Sequence, residues 1–309
     1  MAKKKRSGKG IVGQVGLGIM GGAFARHLLN AGFQVIGFDP SPKAARALRR
    51  LGGETAHSAA EVAARARVVI TSLPSPGAME AAYFGKDGLA SGAQRGSVVI
   101  EASTMTLELK EKLHRRLAKQ GVHLLDCPIS GTGAQAAAKD IVVYASGDRG
   151  AFNRYRKVFD GFARGTYYCG EFGTGSKLKF VANLLVTIHN LSTAEAMALG
   201  EKAGLDLALL YKVIGDGAGS SRMFQVRGPL MVEGRYRPPT MKCDVYQKDI
   251  DIIDAYARRL RCPTPLFRAS LPYYTAALRQ GWEKQDTAAV HAVLRKRAGL
   301  KGRPNKGKR

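Results

Sequence analysis

Residues 11–39 read IVGQVGLGIMGGAFARHLLNAGFQVIGFD, and this stretch decides the fold. A short apolar run, 11–15, enters the glycine-rich turn Gly16-Leu17-Gly18-Ile19-Met20-Gly21 and leaves it as an amphipathic helix. A second apolar run, 33–38, ends in Asp39. Strand, GxGxxG turn, helix, strand and acid is the order of a dinucleotide-binding βαβ unit. Gly16 allows the tight bend, Gly18 the close approach of a pyrophosphate, and Gly21 the close packing of helix on strand. The phosphates meet free N–H groups at the helix start, so the whole turn, with Leu17, Ile19 and Met20, is assigned to a cofactor. A carboxylate at Asp39 accepts hydrogen bonds from an adenosine ribose and repels a 2′-phosphate, which favours NAD. NADP stays open, because Lys43 or Arg46 lies close enough in sequence to meet a phosphate. The plain alternative for Asp39 is a turn residue before Pro40. The glycine pattern is weak alone in a chain with 37 glycines; the order of elements around it gives it weight.

Outward from this unit, apolar runs at 68–73, 97–102 and 122–128 alternate with helical patterns in MGGAFARHLLNAG, SPKAARALRRLGG, GAMEAAYFG and LELKEKLHRRLAKQG. Alternating strands and helices predict a parallel sheet covered on both faces. Two more strand-like runs, 141–147 and 165–170, are read as extensions of that sheet. After about residue 175 helical patterns dominate, at 175–203, 206–215, 245–260, 264–280 and 285–297. The expected fold is therefore α/β, a Rossmann-type doubly wound parallel sheet, followed by an all-α C-terminal domain. The expected domains are 11–174 and 175–296, joined by a long helix and flanked by basic disordered tails at 1–10 and 297–309.

The chain of 309 residues suffices for two domains with buried cores. Hydrophobic residues make up 45% of it, which excludes disorder throughout. No run of about 18 uninterrupted apolar residues occurs, so no membrane span is expected. The start, MAKKKRSGKG, lacks the apolar core of a secretory signal. Cys127, Cys169, Cys243 and Cys262 are scattered and form no CxxC pair. That argues against zinc, or any metal, and against a redox motif, and it predicts a reduced, cytoplasmic setting. The net charge of +25 fits a solvated basic surface, or weak salt-dependent contact of the tails with nucleic acid. No aromatic-studded basic repeat accompanies the charge, which favours the first.

The run GTGSKLKFVANLL, 173–185, opens the longest helical pattern. At about 100° per residue, Lys177 and Lys179 point about 200° apart and cannot share a site. Lys179, Asn183, Thr187 and Asn190 do share a face. The remaining positions are apolar nearly all round, so the helix is expected to be buried, with its polar stripe facing bonded partners or a wet cleft between the domains.

The segment QVGLGIMGGAFARHLLNAGFQVIGFD resembles the N-terminal signature of the β-hydroxyacid dehydrogenases. Three later segments are similar to that family's motifs in the expected order: LDCPISGTGAQAA, GTGSKLKFVANLL and QKDIDI. The resemblance covers about residues 11 to 295. It implies a nicotinamide-dependent oxidoreductase acting on a small β-hydroxy acid or semialdehyde, assembled as a homodimer or homotetramer. Lys179 would be the catalytic acid or base, with Asn183 orienting lysine or substrate. A lysine near its usual pKa of about 10.4 is a poor base at neutral pH, and burial beside the positive nicotinamide would lower it. Leu73, Pro74 and Thr104 would line the dinucleotide. Ser130, Gly131 and Thr132 would hold the substrate carboxylate. Lys248 would lie near the cofactor, and Asp249 near substrate or paired with Lys179.

Three departures from the family pattern stand out. Thr132 replaces a glycine, which brings a Cβ into the loop and is expected to strain it or crowd the pocket mouth. Ala182 stands where the decarboxylating 6-phosphogluconate members carry a histidine. Val186 stands where they carry an acidic residue, which predicts oxidoreduction without decarboxylation. Arg222 and Arg227 are read as surface residues or as a clamp for a second carboxylate. Imine reduction on a similar scaffold is one alternative, which Lys179 disfavours. A nucleic-acid-associated protein retaining the dehydrogenase fold is another, favoured only by the tails.

Overall fold

The chain builds a parallel sheet first and a helical array second. The computed structural model describes residues 9–302. Most of both expected tails, 1–8 and 303–309, lies outside the described residues. Two parts of those tails are held in place. The Gly10 carbonyl accepts the Gln34 N–H at 3.1 Å, and the Leu300 N–H donates to the Arg295 carbonyl at 2.9 Å. The chain divides into one unit ending at Lys179 and a second beginning at Phe180.

The first unit runs β1 (Ile11–Val15), α1 (Ile19–Asn30), β2 (Gln34–Phe38), α2 (Pro42–Arg50), β3 (Glu54–Thr55), α3 (Ala59–Arg65) and β4 (Val68–Thr71). It continues through α4 (Pro76–Phe84), α5 (Leu89–Gly92), β5 (Val98–Glu101), α6 (Leu107–Ala118) and β6 (His123–Asp126). These six strands form one sheet in the order β3-β2-β1-β4-β5-β6, every pair parallel. Successive side chains feed opposite faces. Val12, Val35, Val68, Ile70, Val98 and Ile100 enter one core with Phe24 and Leu28 of α1. Val15, Ile36, Val69, Val99 and Leu124 enter a second core with Val62 of α3 and Leu113 of α6. Each such aliphatic side chain contributes about 1.5–3 kcal/mol, so covering both faces explains why the strands read as unbroken apolar runs.

The remaining elements of the first unit are β7 (Ile129–Ser130), α7 (Gly133–Ala137), β8 (Val142–Ala145), α8 (Arg149–Arg154), α9 (Arg156–Phe162) and β9 (Gly165–Tyr168). Here the sequence expectation is corrected. The runs at 141–147 and 165–170 do not extend the large sheet but form a separate one, β7-β8-β9. After β6 the chain reaches Pro128, which has no N–H to offer a ladder. Among the described residues, one isolated antiparallel bridge, Asp126 to Ser146, links the two sheets.

Helix α10 (Thr174–Lys202) crosses the division between the units. The second unit continues through α11 (Leu207–Asp216), α12 (Arg222–Glu233), α13 (Cys243–Arg259), α14 (Pro265–Arg279) and α15 (Val290–Arg297). Phe180, Met197, Phe224, Tyr246, Ile250, Phe267 and Val293 belong to its core. The sequence reading left out helices α3 and α12, although Ala59, Val62 and Ala63 of α3 stand buried at i, i+3 and i+4. In α12, Pro229 stands inside the helix and hides it, although Ser221 caps its start by accepting the Phe224 N–H. Helix α10 is not buried all round: Leu178, Val181 and Leu185 are 43%, 58% and 46% exposed. Among the described residues no helix is long and apolar enough to cross a membrane.

Candidate active site

The turn 16–21 sits at the carboxyl end of β1, where the chain order of the sheet reverses between β1 and β4. Such a switch point is where open α/β sheets receive ligands. Two of its glycines are required by the protein itself. A Cβ on Gly16, whose φ is +85°, would lie 2.2 Å from the Ser72 carbonyl oxygen, and one on Gly21 would lie 1.9 Å from that of Gly16. Gly18 differs: a Cβ there would meet nothing within 4 Å. It caps α1 without a side-chain hydrogen bond, so the open space lies beside uncapped N–H groups. That combination fits a pyrophosphate. Around it Ile19 is exposed, Met20 half-buried and Leu17 buried.

Asp39 is tied to this turn. Its Oδ2 accepts the Leu17 N–H at 2.7 Å and its Oδ1 accepts the Ser41 N–H at 2.8 Å. The carboxylate is thereby oriented, and each oxygen keeps a lone pair for a ribose hydroxyl. Leu73 follows β4, and its N–H donates to Ser103 Oγ at 2.8 Å. Pro74 is exposed and Thr104, after β5, is half-buried. The turn, Leu73, Pro74 and Thr104 thus follow the carboxyl ends of the three strands β1, β4 and β5.

The expected substrate loop follows β7. Ser130 is half-buried. Gly131 has φ +142°, and a Cβ on it would lie 2.7 Å from Ile141 Cγ2. Thr132 corrects an expectation: its φ of −94° and ψ of 172° are ordinary extended backbone without strain. Its side chain builds a capping box for α7, accepting the Gln135 N–H at 3.4 Å, while Gln135 Oε1 accepts the Thr132 N–H at 3.0 Å. That N–H is therefore taken up within the loop, and the hydroxyl proton is what Thr132 has left to offer a carboxylate.

Helix α10 opens after Gly173, which has φ +93° and no side chain to cap the helix. A Cβ on Gly175 would lie 2.3 Å from the Tyr144 carbonyl oxygen, so the first turn runs hard against β8. Lys177 is exposed, whereas Lys179 is 8% and Asn183 5% exposed. The polar stripe divides by partner. Asn190 donates to the Tyr274 hydroxyl at 2.9 Å and to the Thr287 carbonyl at 3.0 Å. Thr187 Oγ1 lies 2.8 Å from both the Asn183 carbonyl and the Tyr246 hydroxyl. These two residues tie the helix into its unit. Asn183 donates its Nδ2 proton to Asp249 Oδ2 at 2.9 Å, and Lys248 Nζ stands 3.1 Å from Asp249 Oδ1. Asn183, Lys248 and Asp249 are thus brought together on α10 and α13.

Arg227 is neither a surface residue nor a free clamp. It is 2% exposed and pairs with Asp286 Oδ2 at 2.8 Å, beside Thr240. Arg222 reaches Gln225 Oε1 at 3.4 Å.

The sequence reading missed a buried ionic group. Glu101 and Asp126 close β5 and β6 and are direct partners in the parallel register. Lys110 of α6 places its Nζ 2.8 Å from Glu101 Oε2 and 2.7 Å from Asp126 Oδ1, and none of the three is exposed. Burial alone would lower the Lys110 pKa, but the charges and hydrogen bonds of Asp126 and Glu101 outweigh it and hold it above the usual lysine range. Asp126 then accepts the Ser176 N–H at 2.7 Å and the Ser176 hydroxyl at 2.8 Å. The available signal was an acid ending each of two otherwise apolar strands, VVIE and HLLD.

Comparison with known proteins shows the family. Residues 11–170 match the NAD binding domain of 6-phosphogluconate dehydrogenase, and residues 173–294 match the NAD-binding region of NADP-dependent 3-hydroxyisobutyrate dehydrogenase. The L-threonate dehydrogenase of Cupriavidus necator is 37% identical, over 92% of this chain and 95% of that protein. The NAD-dependent L-serine dehydrogenase of Pseudomonas aeruginosa is 30% identical, over 91% and 96%. A crystal structure of 3-hydroxyisobutyrate dehydrogenase from Salmonella typhimurium superposes with a TM-score of 0.84 at 34% identity, covering 92% of this chain and 99% of that one. The Streptomyces aurantiacus imine reductase, at 22% identity and a TM-score of 0.62, shares the fold alone.

Proposed function

Because the chain belongs to the β-hydroxyacid dehydrogenase family, we propose that it oxidises a small hydroxy acid, or reduces the matching carbonyl, with Lys179 moving the hydroxyl proton. The protein is a nicotinamide-dependent dehydrogenase of CH–OH groups. The observation that carries the lysine assignment is the placement of Lys179 and Asn183 on one face of α10, both buried.

The nicotinamide, when bound, accepts or supplies the hydride. Gly16, Gly18 and Gly21 with the start of α1 would hold the pyrophosphate, and Asp39 the adenosine ribose. Asp39 favours NAD, since a 2′-phosphate would meet a carboxylate already fixed by two N–H groups. In reduction, protonated Lys179 gives its proton to the carbonyl oxygen and polarises that bond; in oxidation, the neutral amine takes the hydroxyl proton. Asn183, with its amide proton committed to Asp249, has its carbonyl oxygen to orient the ammonium or the substrate. Lys248 adds positive charge beside Asp249 and is assigned to the cofactor's side of the site. Ser130, Gly131 and the Thr132 hydroxyl would hold the substrate carboxylate. Val186 has no proton to give, so the reaction stops at the oxidised acid.

The names of the relatives support testing small hydroxy acids, with L-threonate the first to try. The exposed stripe of Leu178, Val181 and Leu185 on α10 supports a homo-oligomer, a dimer or tetramer, that covers it. The test is a panel of L-threonate, L-serine and 3-hydroxyisobutyrate, assayed with NAD and with NADP. Turnover of at least one acid, faster with NAD, is expected. No oxidation of any of them with either cofactor would overturn the reading.

A further inference from the structure

The buried group Glu101–Lys110–Asp126 has no part in the chemistry above, yet it is expensive. Three charged side chains lie entirely out of water, and such a group is seldom retained for stability, since well-packed apolar residues often serve as well or better. Its outer contacts show what it holds. On one side Glu101 Oε1 accepts the Ser103 N–H at 2.9 Å, and Ser103 Oγ accepts the Leu73 N–H at 2.8 Å. These are the loops after β4 and β5 that carry Leu73, Pro74 and Thr104. On the other side Asp126 holds both polar groups of Ser176, in the first turn of α10. Ser146 Oγ, which lies 3.4 Å from Asp126 Oδ2, accepts the Gly175 N–H at 3.0 Å. Gly173 supplies no cap, so the carboxylate that fixes the start of this helix comes from another element. Ser176 precedes Lys179 by three residues, just under one turn of the helix.

We infer that Lys110 is a positioning residue: by bridging Glu101 and Asp126 it sets the distance between the loops at the carboxyl ends of β4 and β5 and the turn that carries Lys179. The inference rests on the reading of Lys179 given above. Two carboxylates on adjacent register positions repel each other, and the ammonium between them, at 2.8 and 2.7 Å, draws both to a fixed separation. Each carboxylate passes that position on through a hydrogen bond to backbone. Lys110 itself, fully buried between its two carboxylates, touches no substrate and moves no proton.

The experiment compares Lys110→Met, Ser176→Ala and Ser103→Ala with the parent enzyme, using the best acid of the panel. Displacing a reacting group by about 1 Å costs on the order of 100-fold. A fall in kcat of about 10- to 100-fold is therefore expected, with NADH affinity within about 3-fold and, in the reverse reduction of the matching carbonyl, an enlarged deuterium isotope effect from 4-deuterated NADH. A readout independent of turnover is reductive methylation of Lys179, followed by peptide mass spectrometry. Its rate should change several-fold in all three variants. Unchanged kcat, isotope effect and Lys179 labelling, with only a lower melting temperature, would overturn the inference and leave the triad a structural feature. If Lys110→Met fails to fold, the two serine variants decide, since each removes one hydrogen-bonding hydroxyl. Lys179→Ala is the separate control: wild-type turnover there would sink the reading of the active site, whatever the triad does.

Discussion

At the scale of single residues, the site depends on which polar groups are already committed. Asp39 spends one lone pair of each oxygen on the backbone and is fixed before any cofactor arrives. Asp39→Asn keeps an acceptor for one of those N–H groups and removes the charge. The expected result is weaker NAD binding and a ratio of kcat/KM for NADP over NAD that rises about 10-fold, on the scale of one lost charged hydrogen bond; steady-state kinetics with both cofactors checks it. An unchanged ratio would remove Asp39 from cofactor choice. Asn183→Ala frees the buried Asp249 carboxylate from its amide partner and should lower kcat more than it raises KM. The two glycines required by the turn were legible in the sequence because a GxGxxG turn has a steric reason at each position. Thr132 was legible as a departure but not as a cap, because the capping box depends on Gln135 three residues on. Lys110 was overlooked although its spacing from Leu107, Leu113 and Leu117 puts it on the apolar face of α6; what the spacing does not show is that Glu101 and Asp126 meet it there.

Among elements, α10 decides most. Its period was readable, and so was the separation of Lys179 from Lys177. What the pattern could not separate was the use of the stripe: Thr187 and Asn190 are bonded to Tyr246 and Tyr274 of their own unit, and Asn183 is bonded to Asp249. Nor could its apolar positions tell core from exposed surface. Leu178, Val181 and Leu185, at i, i+3 and i+7, form one exposed ridge. Val181→Lys with Leu185→Lys should shift the protein toward monomer in sedimentation velocity while far-ultraviolet circular dichroism stays the same. An unaltered sedimentation coefficient would place any oligomer contact elsewhere. The strands β8 and β9 were readable as strands, but not their sheet, because membership depends on the turn at Pro128 and not on local apolarity.

For the whole molecule, the core of the second unit predicts a pH response. His291 is buried against the Tyr236 hydroxyl at 3.2 Å, with burial and the nearby Arg295 pushing its pKa down to about 4 from 6.5. The folded state then binds fewer protons than the unfolded state between those values, so stability is full above about 6.5 and falls as pH drops toward 4. The loss should be on the order of 3 kcal/mol at most, read as a falling urea midpoint, and His291→Gln should flatten it. A pH-independent midpoint across that window would contradict the assignment. Four ordered motifs made the two-part fold and the family readable from the sequence; the charge of +25 said little about either. The central claim is that one ammonium serves the proton transfer, and Lys179→Ala tests it most directly. The account predicts that turnover falls by about 10²- to 10⁴-fold while the NADH dissociation constant, followed by fluorescence, stays within a few-fold; a variant that keeps more than about a tenth of its turnover, a loss well below the range expected of a general acid–base group, would contradict it.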